Sequence, residues 1–286
     1  MGKKLSIITV CFNAAKTIEN TIKSLADNKN SDIEYLIIDG GSKDETMQIA
    51  NRYKGYIDCI ISEKDNGIYD ALNKGIKLAK GEYIMLLAAD DVLIDGGIQQ
   101  ALKTLNSDTD IWCGSIILKT DYGYFIEHSS PNLEGLKYSC TLRNPAALFR
   151  KTIFDKWGYY DTSYRCSADR ELFLRMYING CSFQIEKIPI TLFGMEGISS
   201  LDRTKYAIPE GRRIELQYNI ESDGLEERYE YDMKKEKLKN TLRENFIGRL
   251  FFRFMYSDMF YPLVCSILKK ENTKLNAEAK KKYGFV

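Results

Sequence analysis

Four times in its first 105 residues the chain repeats one unit: a short apolar run, a polar turn, then apolar residues at helical spacing. "LSIITV" (5–10) precedes "AKTIENTIKSL", whose Ile18, Ile22 and Leu25 fall on one helical face. "EYLIIDG" (34–40) precedes "SKDETMQIANRY", where Ser42 and Glu45 have capping-box spacing and predict a helix start. "IDCIISE" (57–63) precedes "GIYDALNKGIKLAKG", with Ile68, Leu72, Ile76 and Ala79 aligned and Gly81 as the stop. The run Tyr83–Leu87 precedes "DGGIQQALKTL", with Asp95 as the expected cap. Repeated strand–helix units commit a chain to an α/β fold: a mostly parallel central sheet with helices on both faces.

That architecture says where to look for chemistry. Ligands of such sheets bind beyond the carboxyl ends of the strands. Thr9 and Asn13, Asp39, Glu63 to Asn66, and the adjacent Asp90 and Asp91 all fall at those ends. Two neighbouring carboxylates repel each other, so Asp90 and Asp91 are either solvated by water or face something positive. An isolated Asp–Asp pair is a weak signal by itself.

Composition removes several alternatives. The 286 residues are 44% hydrophobic and 28% charged, as in a soluble globular protein, and the net charge of +1 gives no global field for nucleic acid. His128 is the only histidine, so a multi-imidazole zinc site is excluded and any Ser–His–Asp triad must use that residue. It sits in "YGYFIEHSS", which reads as the end of a hairpin strand and a partly exposed polar position. The seven cysteines include no CxxC pair and predict reduced core thiols of a cytoplasmic protein. Leu5 to Val10 is too short for a signal-peptide core, and no window reaches the length of an apolar membrane span. "MGKKLS" matches a myristoylation pattern formally, but Ser6 falls inside the first strand.

Past residue 110 the pattern changes. "DIWCGSIIL" and "GYFIEHS" predict two strands joined by a turn at Asp121 to Gly123. "ADRELFLRMYING" predicts a helix with Leu172, Phe173 and Met176 inward and Gly180 as its end, and "SFQIEKIPITLF" is extended again. A soft boundary at about 203 separates a domain over 1–202 from a charged, helical C-terminal extension over 203–286.

The first turn, "CFNAAKT", contains no glycine. A dinucleotide fingerprint and a P-loop are therefore both absent. Neutralisation of phosphates by a metal on carboxylates remains, and Mg²⁺ or Mn²⁺ suits it, being hard cations that take one or two carboxylates plus phosphate oxygens and water.

"SIITVCFNAAKTIENTIKSL", "YLIIDGGSKDET", "SEKDNGIYDALNKGIKLAKGEYIMLLAADD" and "SADRELFLRM" occur in this order. Together, over roughly residues 4 to 200, they make the chain similar to the family 2 glycosyltransferases of GT-A fold, especially bacterial members that build surface polysaccharides. The resemblance implies inverting transfer of a sugar from a nucleotide donor, usually a UDP-sugar, to a hydroxyl of a glycan or lipid-linked acceptor. It implies that Asp39 contacts the base and that Thr9 lines the nucleotide site. Asp65, Asn73 and Lys74 fall in the family's donor-side segment, and Asn13 joins them at the first turn. "AADD" occupies the DxD position, with Asp91 as first choice of metal ligand and Asp90 facing the ribose or supporting the metal. Asp169 matches the catalytic base. An inverting transfer needs one base, and the start of a helix favours its ionised form. Read without the family, Asp169 is an ordinary first-turn acid.

Two departures stand out. Many relatives carry Glu–Asp where this chain has Ala168–Asp169, and many carry His–Pro or His–Gln where it has Asn144–Pro145. "FGMEGISS" suits a mobile loop or a plain surface turn, and Arg203 and Lys205 follow it. "NFIGRLFFRFMYSDMFYPLVCSILKK" (245–270) suits a helix packed on the protein or on a second subunit, or one lying on a membrane at the inner face of the cell. Rival readings are a non-catalytic nucleotide-sugar-binding or scaffolding protein on the same fold, and a nucleotidyltransferase. The latter fits poorly with the glycine-free first turn.

Overall fold

The computed structural model describes residues 2–120, 123–194, 204–220, 226, 229–234 and 236. Two units make up the chain: Met1–Tyr122 with Ile126–Ser200, and Gly123–Phe125 with Leu201–Val286.

In the first unit β1 (Leu5–Cys11) pairs in parallel with β2 (Ile33–Asp39) on one side and β4 (Tyr83–Ala88) on the other, and β2 pairs in parallel with β3 (Cys59–Ser62). Every residue of β1 and β2 is buried, the polar Ser6, Thr9, Glu34 and Asp39 included, as in strands covered on both faces. The period of two divides their side chains. Leu5, Ile7, Ile37 and Met85 share a core with Ile18, Ile22 and Leu25 of α1 (Ile18–Asn28). On the opposite face Ile8 and Ile38 meet Gly75 of α3 (Ile68–Leu78). Between these lie α2 (Thr46–Arg52) and, after β4, the two-residue β5 (Val92–Leu93) and α4 (Gly97–Thr104).

The sheet then stops being purely parallel. β6 (Ile111–Thr120) pairs with β7 (Gly123–His128), as the turn signal predicts. β8 (Ala147–Arg150) is inserted antiparallel between β4 and β6, and β9 (Phe183–Phe193) runs parallel to β6 and antiparallel to β5. The resulting order is β3-β2-β1-β4-β8-β6-β9-β5, with β7 beside β6. Because β8 runs against β4, the residues just before it, Asn144–Ala146, arrive near the carboxyl end of β4.

α5 (Thr152–Trp157) and α6 (Ala168–Ile178) follow β8. Phe173 of α6 stacks on Phe149 of β8 at 5.4 Å, and Phe149 meets Phe154 of α5 at 5.6 Å. Leu172, Phe173 and Met176 are buried, as expected. Gly180 ends α6 with φ at +76°, its N–H on the Tyr177 carbonyl and that of Cys181 on the Met176 carbonyl. This is a Schellman ending, which a side chain would strain.

Several local expectations are corrected. α2 begins at Thr46, and the Ser42–Glu45 box does not form, because Ser42 Oγ is taken by the Asp39 carboxylate and by the N–H of Asn13. Asp95 is exposed and does not cap α4, which starts after a left-handed Gly96. α3 stops at Leu78, with Ala79 already extended, before Gly81 is reached. The chain is turned there by the N–H of Lys80 on buried Glu34 (2.8 Å) and of Gly81 on Ser6 Oγ (2.8 Å). Ile68 is only half-buried, and Tyr69 takes its place on the inner face of α3.

In the second unit α7 (Ala207–Gln217) buries Ile214 and Glu215, and Arg212 pairs with Glu226 at 3.1 Å. Residues 229–234 are helical. Among the described residues no helix is long and apolar enough to cross a membrane. The stretch 245–270 lies outside the described residues, as do Cys265, Arg203 and residues 195–200 of the "FGMEGISS" loop.

Candidate active site

The turns after β1 and β2 are laced together. Asn13, in the left-handed region at φ +51°, donates its N–H to Ser42 Oγ (2.7 Å) and accepts the N–H of Lys43 on Oδ1 (2.8 Å). The N–H groups of Ala14 and Ala15 bind Thr46 Oγ1 (2.8 Å) and Asp44 Oδ2 (3.0 Å). Asp39, at the end of β2, is fully buried. It accepts the N–H groups of Gly41 (3.2 Å) and Ser42 (3.0 Å), the hydroxyls of Ser42 and Ser62, and the Cys11 thiol. Five donors saturate a carboxylate's lone pairs. Asp39 thus shapes the edge, and its oxygens do not face solvent.

Thr9 is also fully buried, with the Tyr35 hydroxyl donating to its Oγ1 at 3.2 Å. The expectation that Thr9 lines a ligand site meets a side chain with no exposed surface. β1 runs on to Cys11, so the edge lies two residues further along.

After β3, Asp65 Oδ1 accepts the N–H of Gly67 (2.9 Å), and its carboxylate lies against Gly40 of the β2 turn. Lys74 pairs with Glu63 at 2.9 Å and Asp70 at 3.6 Å. Asn73 grips Tyr160 on both sides: Nδ2 donates to the Tyr160 carbonyl (2.9 Å) and Oδ1 accepts its N–H (3.0 Å). Asn73 is therefore a clamp between α3 and the segment leading to α6, rather than a side chain open to a donor.

At the end of β4 the two acids part company. Thr21 of α1 donates its hydroxyl to the carbonyls of Ala89 (2.9 Å) and Asp91 (2.7 Å), fixing the turn. Asp91 is 1% exposed. Its Oδ2 accepts the N–H of Ala88 (3.1 Å) and its Oδ1 that of Gly194 (2.9 Å). Burial pushes its carboxyl up to about 7, with Asp90 adding to the rise and the two N–H groups opposing it. Asp90 is half-buried, its carboxylate against the backbone of Gly194. Both oxygens of Asp91 are thus taken by backbone donors. Among the described residues no group of three or more His, Cys, Asp or Glu side chains is placed to hold a metal. A single hard carboxylate completed by diphosphate and water does fit Mg²⁺ or Mn²⁺.

Asp169 begins α6, and burial alone raises its carboxyl to about 7. Asn144 Nδ2 donates to its Oδ1 at 3.1 Å, and the Tyr160 hydroxyl donates to Asn144 Oδ1 at 3.2 Å. Tyr160 stacks on Tyr69 of α3 with ring centroids 5.4 Å apart. Arg175 binds the buried Glu171 through two nitrogens at 2.9 Å each and also the carbonyls of Trp157 and Tyr159, so the Tyr160 segment is fixed from α6 as well. Since Asn144 precedes β8, Asp169 is held at the same sheet edge as Asp90 and Asp91.

Tyr160, Tyr69, Thr21 and Gly194 are not predicted from the sequence. Only Gly194, in the glycine-bearing "FGMEG", carried a local signal. The six described cysteines are free thiols, and His128 Nδ1 lies 2.7 Å from Ser115 Oγ, away from these acids in the sequence pattern and tied to the β6–β7 hairpin. Lys205 belongs to the second unit, where it lies over the Tyr206 ring.

Comparison with known proteins agrees with this picture. The family model described as Glycosyl transferase family 2 matches residues 6–173. A "PGL/p-HBAD biosynthesis glycosyltransferase" of Mycobacterium bovis is 29% identical over 180 residues, covering 61% of this chain and 70% of the relative. An uncharacterized glycosyltransferase of Rickettsia prowazekii is 31% identical over 191 residues, and the chain spans 58% of its length. Among solved structures, S. aureus TarS 1-349 in complex with UDP-GlcNAc superposes with a TM-score of 0.61 at 18% identity, over 74% of this chain and 65% of that one. The mannosyltransferase PcManGT from Pyrobaculum calidifontis, in complex with GDP-Man and Mn²⁺, superposes with a TM-score of 0.58 at 12% identity, over 99% and 88%. The structural likeness is one of fold, the GT-A fold of these transferases. With more than half of its length matched by the family model, the chain belongs to glycosyl transferase family 2.

Proposed function

We propose that the chain is an inverting, metal-dependent hexosyl- or N-acetylhexosaminyltransferase. It moves a sugar from a nucleotide-sugar donor, most simply a UDP-sugar, to a hydroxyl of a glycan or lipid-linked acceptor in bacterial cell-surface polysaccharide synthesis. The observation that carries this reading is Asp169, a carboxylate oriented by Asn144 at the sheet edge that also bears Asp90 and Asp91.

In this reading the acceptor hydroxyl gives its proton to Asp169 as its oxygen forms a bond to the anomeric carbon. The bond from that carbon to the diphosphate breaks on the opposite face, and its electron pair leaves on the diphosphate. A carboxyl raised toward neutrality by burial is well matched to that task near pH 7. A divalent cation, Mn²⁺ or Mg²⁺, held by Asp90 would supply charge neutralisation for the departing nucleotide. Asn13, Asp65 and Lys74 form the polar rim on the donor side, while Asp39, Asn73, Asp91 and Thr9 hold the rim in shape. Free thiols on the described cysteines suit a reducing, cytoplasmic compartment. Contact of 245–270 with an anionic membrane is tested by flotation with vesicles, where failure of the intact chain to float counts against it.

The test is incubation with a panel of nucleotide sugars, with and without Mn²⁺ or Mg²⁺, reading release of the nucleoside diphosphate. Metal-dependent release from one donor is expected, and Asp169→Asn should retain donor binding while losing transfer. Full transfer in Asp169→Asn would remove Asp169 as the base, and binding of a donor without turnover by the native chain would favour a non-catalytic binding protein.

A further inference from the structure

Asn144 and Tyr160 stand in a hydrogen-bonded line behind Asp169. The Tyr160 hydroxyl meets Asn144 Oδ1 at 3.2 Å, Asn144 Nδ2 meets Asp169 Oδ1 at 3.1 Å, and Asn73 holds the Tyr160 backbone by both its N–H and its carbonyl. The chemistry of this line is directional. Burial raises the Tyr160 phenol well above its ordinary range, so it is a hydroxyl donor at any working pH. An amide that accepts from that hydroxyl on Oδ1 must turn its NH₂ group toward Asp169. The amide can only donate to the carboxylate, and it does so to Oδ1, leaving Oδ2 as the oxygen free of this bond.

We propose that Asn144, with its amide orientation locked by Tyr160 and the Tyr160 backbone locked by Asn73, is a positioning residue that assigns Oδ2 of Asp169 as the proton-accepting atom and favours the ionised form of the carboxylate. The catalytic significance of this assignment rests on the reading of Asp169 as the base, but the lock itself does not. A neutral donor to the ionised form lowers a carboxyl's proton affinity and so opposes the effect of burial. An asparagine cannot titrate, and it donates reliably only if something fixes its flip, which is the part Tyr160 plays.

The groups that face Asp169 allow a clean measurement. Tyr69 from α3 and Tyr160 both titrate far above neutrality, and burial pushes the Cys140 thiol up to about 12. Arg143 and Arg170 act electrostatically on Cys140, and Arg175 on Tyr160.

The experiment is a carboxyl ¹³C titration of the full chain, with Asp169→Asn identifying the Asp169 signal, repeated in Asn144→Ala and Tyr160→Phe. Asn144→Ala should raise the Asp169 midpoint by about one pH unit, a tenfold change in proton affinity. Tyr160→Phe, which frees the amide to flip, should raise it by a smaller amount. An Asn144 that merely fills space would lower the melting temperature at every pH and leave both midpoints where they were, and that result overturns the proposal. Should Asn144→Ala fail to fold, an unchanged midpoint in Tyr160→Phe overturns it alone. A shifted midpoint combined with full transfer by Asp169→Asn upholds the lock while removing the base reading, so the two failures are distinct.

Discussion

Gly194 donates its backbone N–H to Asp91 Oδ1 at 2.9 Å across 103 residues of sequence. The β5–β9 register, Val92 opposite Leu192, carries Gly194 to a place opposite Asp90, where a side chain would run into the Asp90 carboxylate. The end of β4 and the end of β9 are therefore one structural joint. Asp91 is its buried peg, and Asp90 lies half-buried beside it.

The two adjacent acids should then differ sharply on mutation. Asp91→Ala leaves the N–H groups of Ala88 and Gly194 without their acceptor and should lower stability by about 1–3 kcal/mol. Asp90→Ala should cost much less stability but abolish metal-dependent donor use. Denaturant melts alongside metal titration of the two variants check this. Equal stability loss from both would contradict the division of roles.

The pH dependence of stability gives a second test. Burial raises the Asp169 carboxyl from its unfolded value of 3.8 to about 7, so the folded state binds its proton more tightly than the unfolded one. Linkage then makes this residue's contribution fall as pH rises from about 4 to about 7, and level off above. Asp169→Asn, neutral throughout, should match the native chain near pH 4. Above pH 7 it should exceed it by about 1–2 kcal/mol, allowing for partial solvent screening. Melting temperatures of both chains from pH 4 to 9 measure the difference. A gap that is constant with pH would mean the carboxyl is not raised.

Thr9 supplies a test of placement. Thr9→Val keeps shape but strands the buried Tyr35 hydroxyl, which should cost about 1–3 kcal/mol. The donor KM should be unchanged, because the side chain is fully buried. A raised KM with unaltered stability would restore Thr9 to the nucleotide site.

What the sequence makes legible follows from the range over which the signal acts. Ile18, Ile22 and Leu25 on α1, and the predominantly apolar strands β1, β2 and β4, are set by local pattern and are found where expected. The insertion of β8 between β4 and β6 is a choice among long-range pairings, and a four-residue "ALFR" contains nothing local that names its neighbours. Two failed readings arise where another partner takes the group that the local pattern assigns. Ser42 has the spacing of a capping box but is taken by Asp39, and Gly81 looks like a helix stop but the chain has already turned onto Ser6 and Glu34. Within the site, Asp169 is visible through its helix start and family pattern. The asparagine and tyrosine that orient it come from segments 25 and 9 residues away in sequence, counted from 144 and 160, and no spacing rule links them.

Asn73 joins α3 to that arrangement, and its removal should act at a distance. The side chain supplies both an acceptor and a donor to the Tyr160 backbone, so Asn73→Ala forfeits two partly buried hydrogen bonds and should lower stability by about 1–3 kcal/mol. Its larger effect should be kinetic. With the backbone of Tyr160 released, the hydroxyl that orients Asn144 drifts, and a displacement near 1 Å at a reacting group costs on the order of 100-fold in rate. Donor affinity, measured by calorimetry with the donor found active, should change little, because Asn73 faces Tyr160. Asn73→Asp keeps the acceptor for the Tyr160 N–H but places a carboxylate against its carbonyl, and should be the more damaging of the two. A variant that weakens donor binding while leaving the transfer rate intact would show instead that Asn73 serves the nucleotide directly.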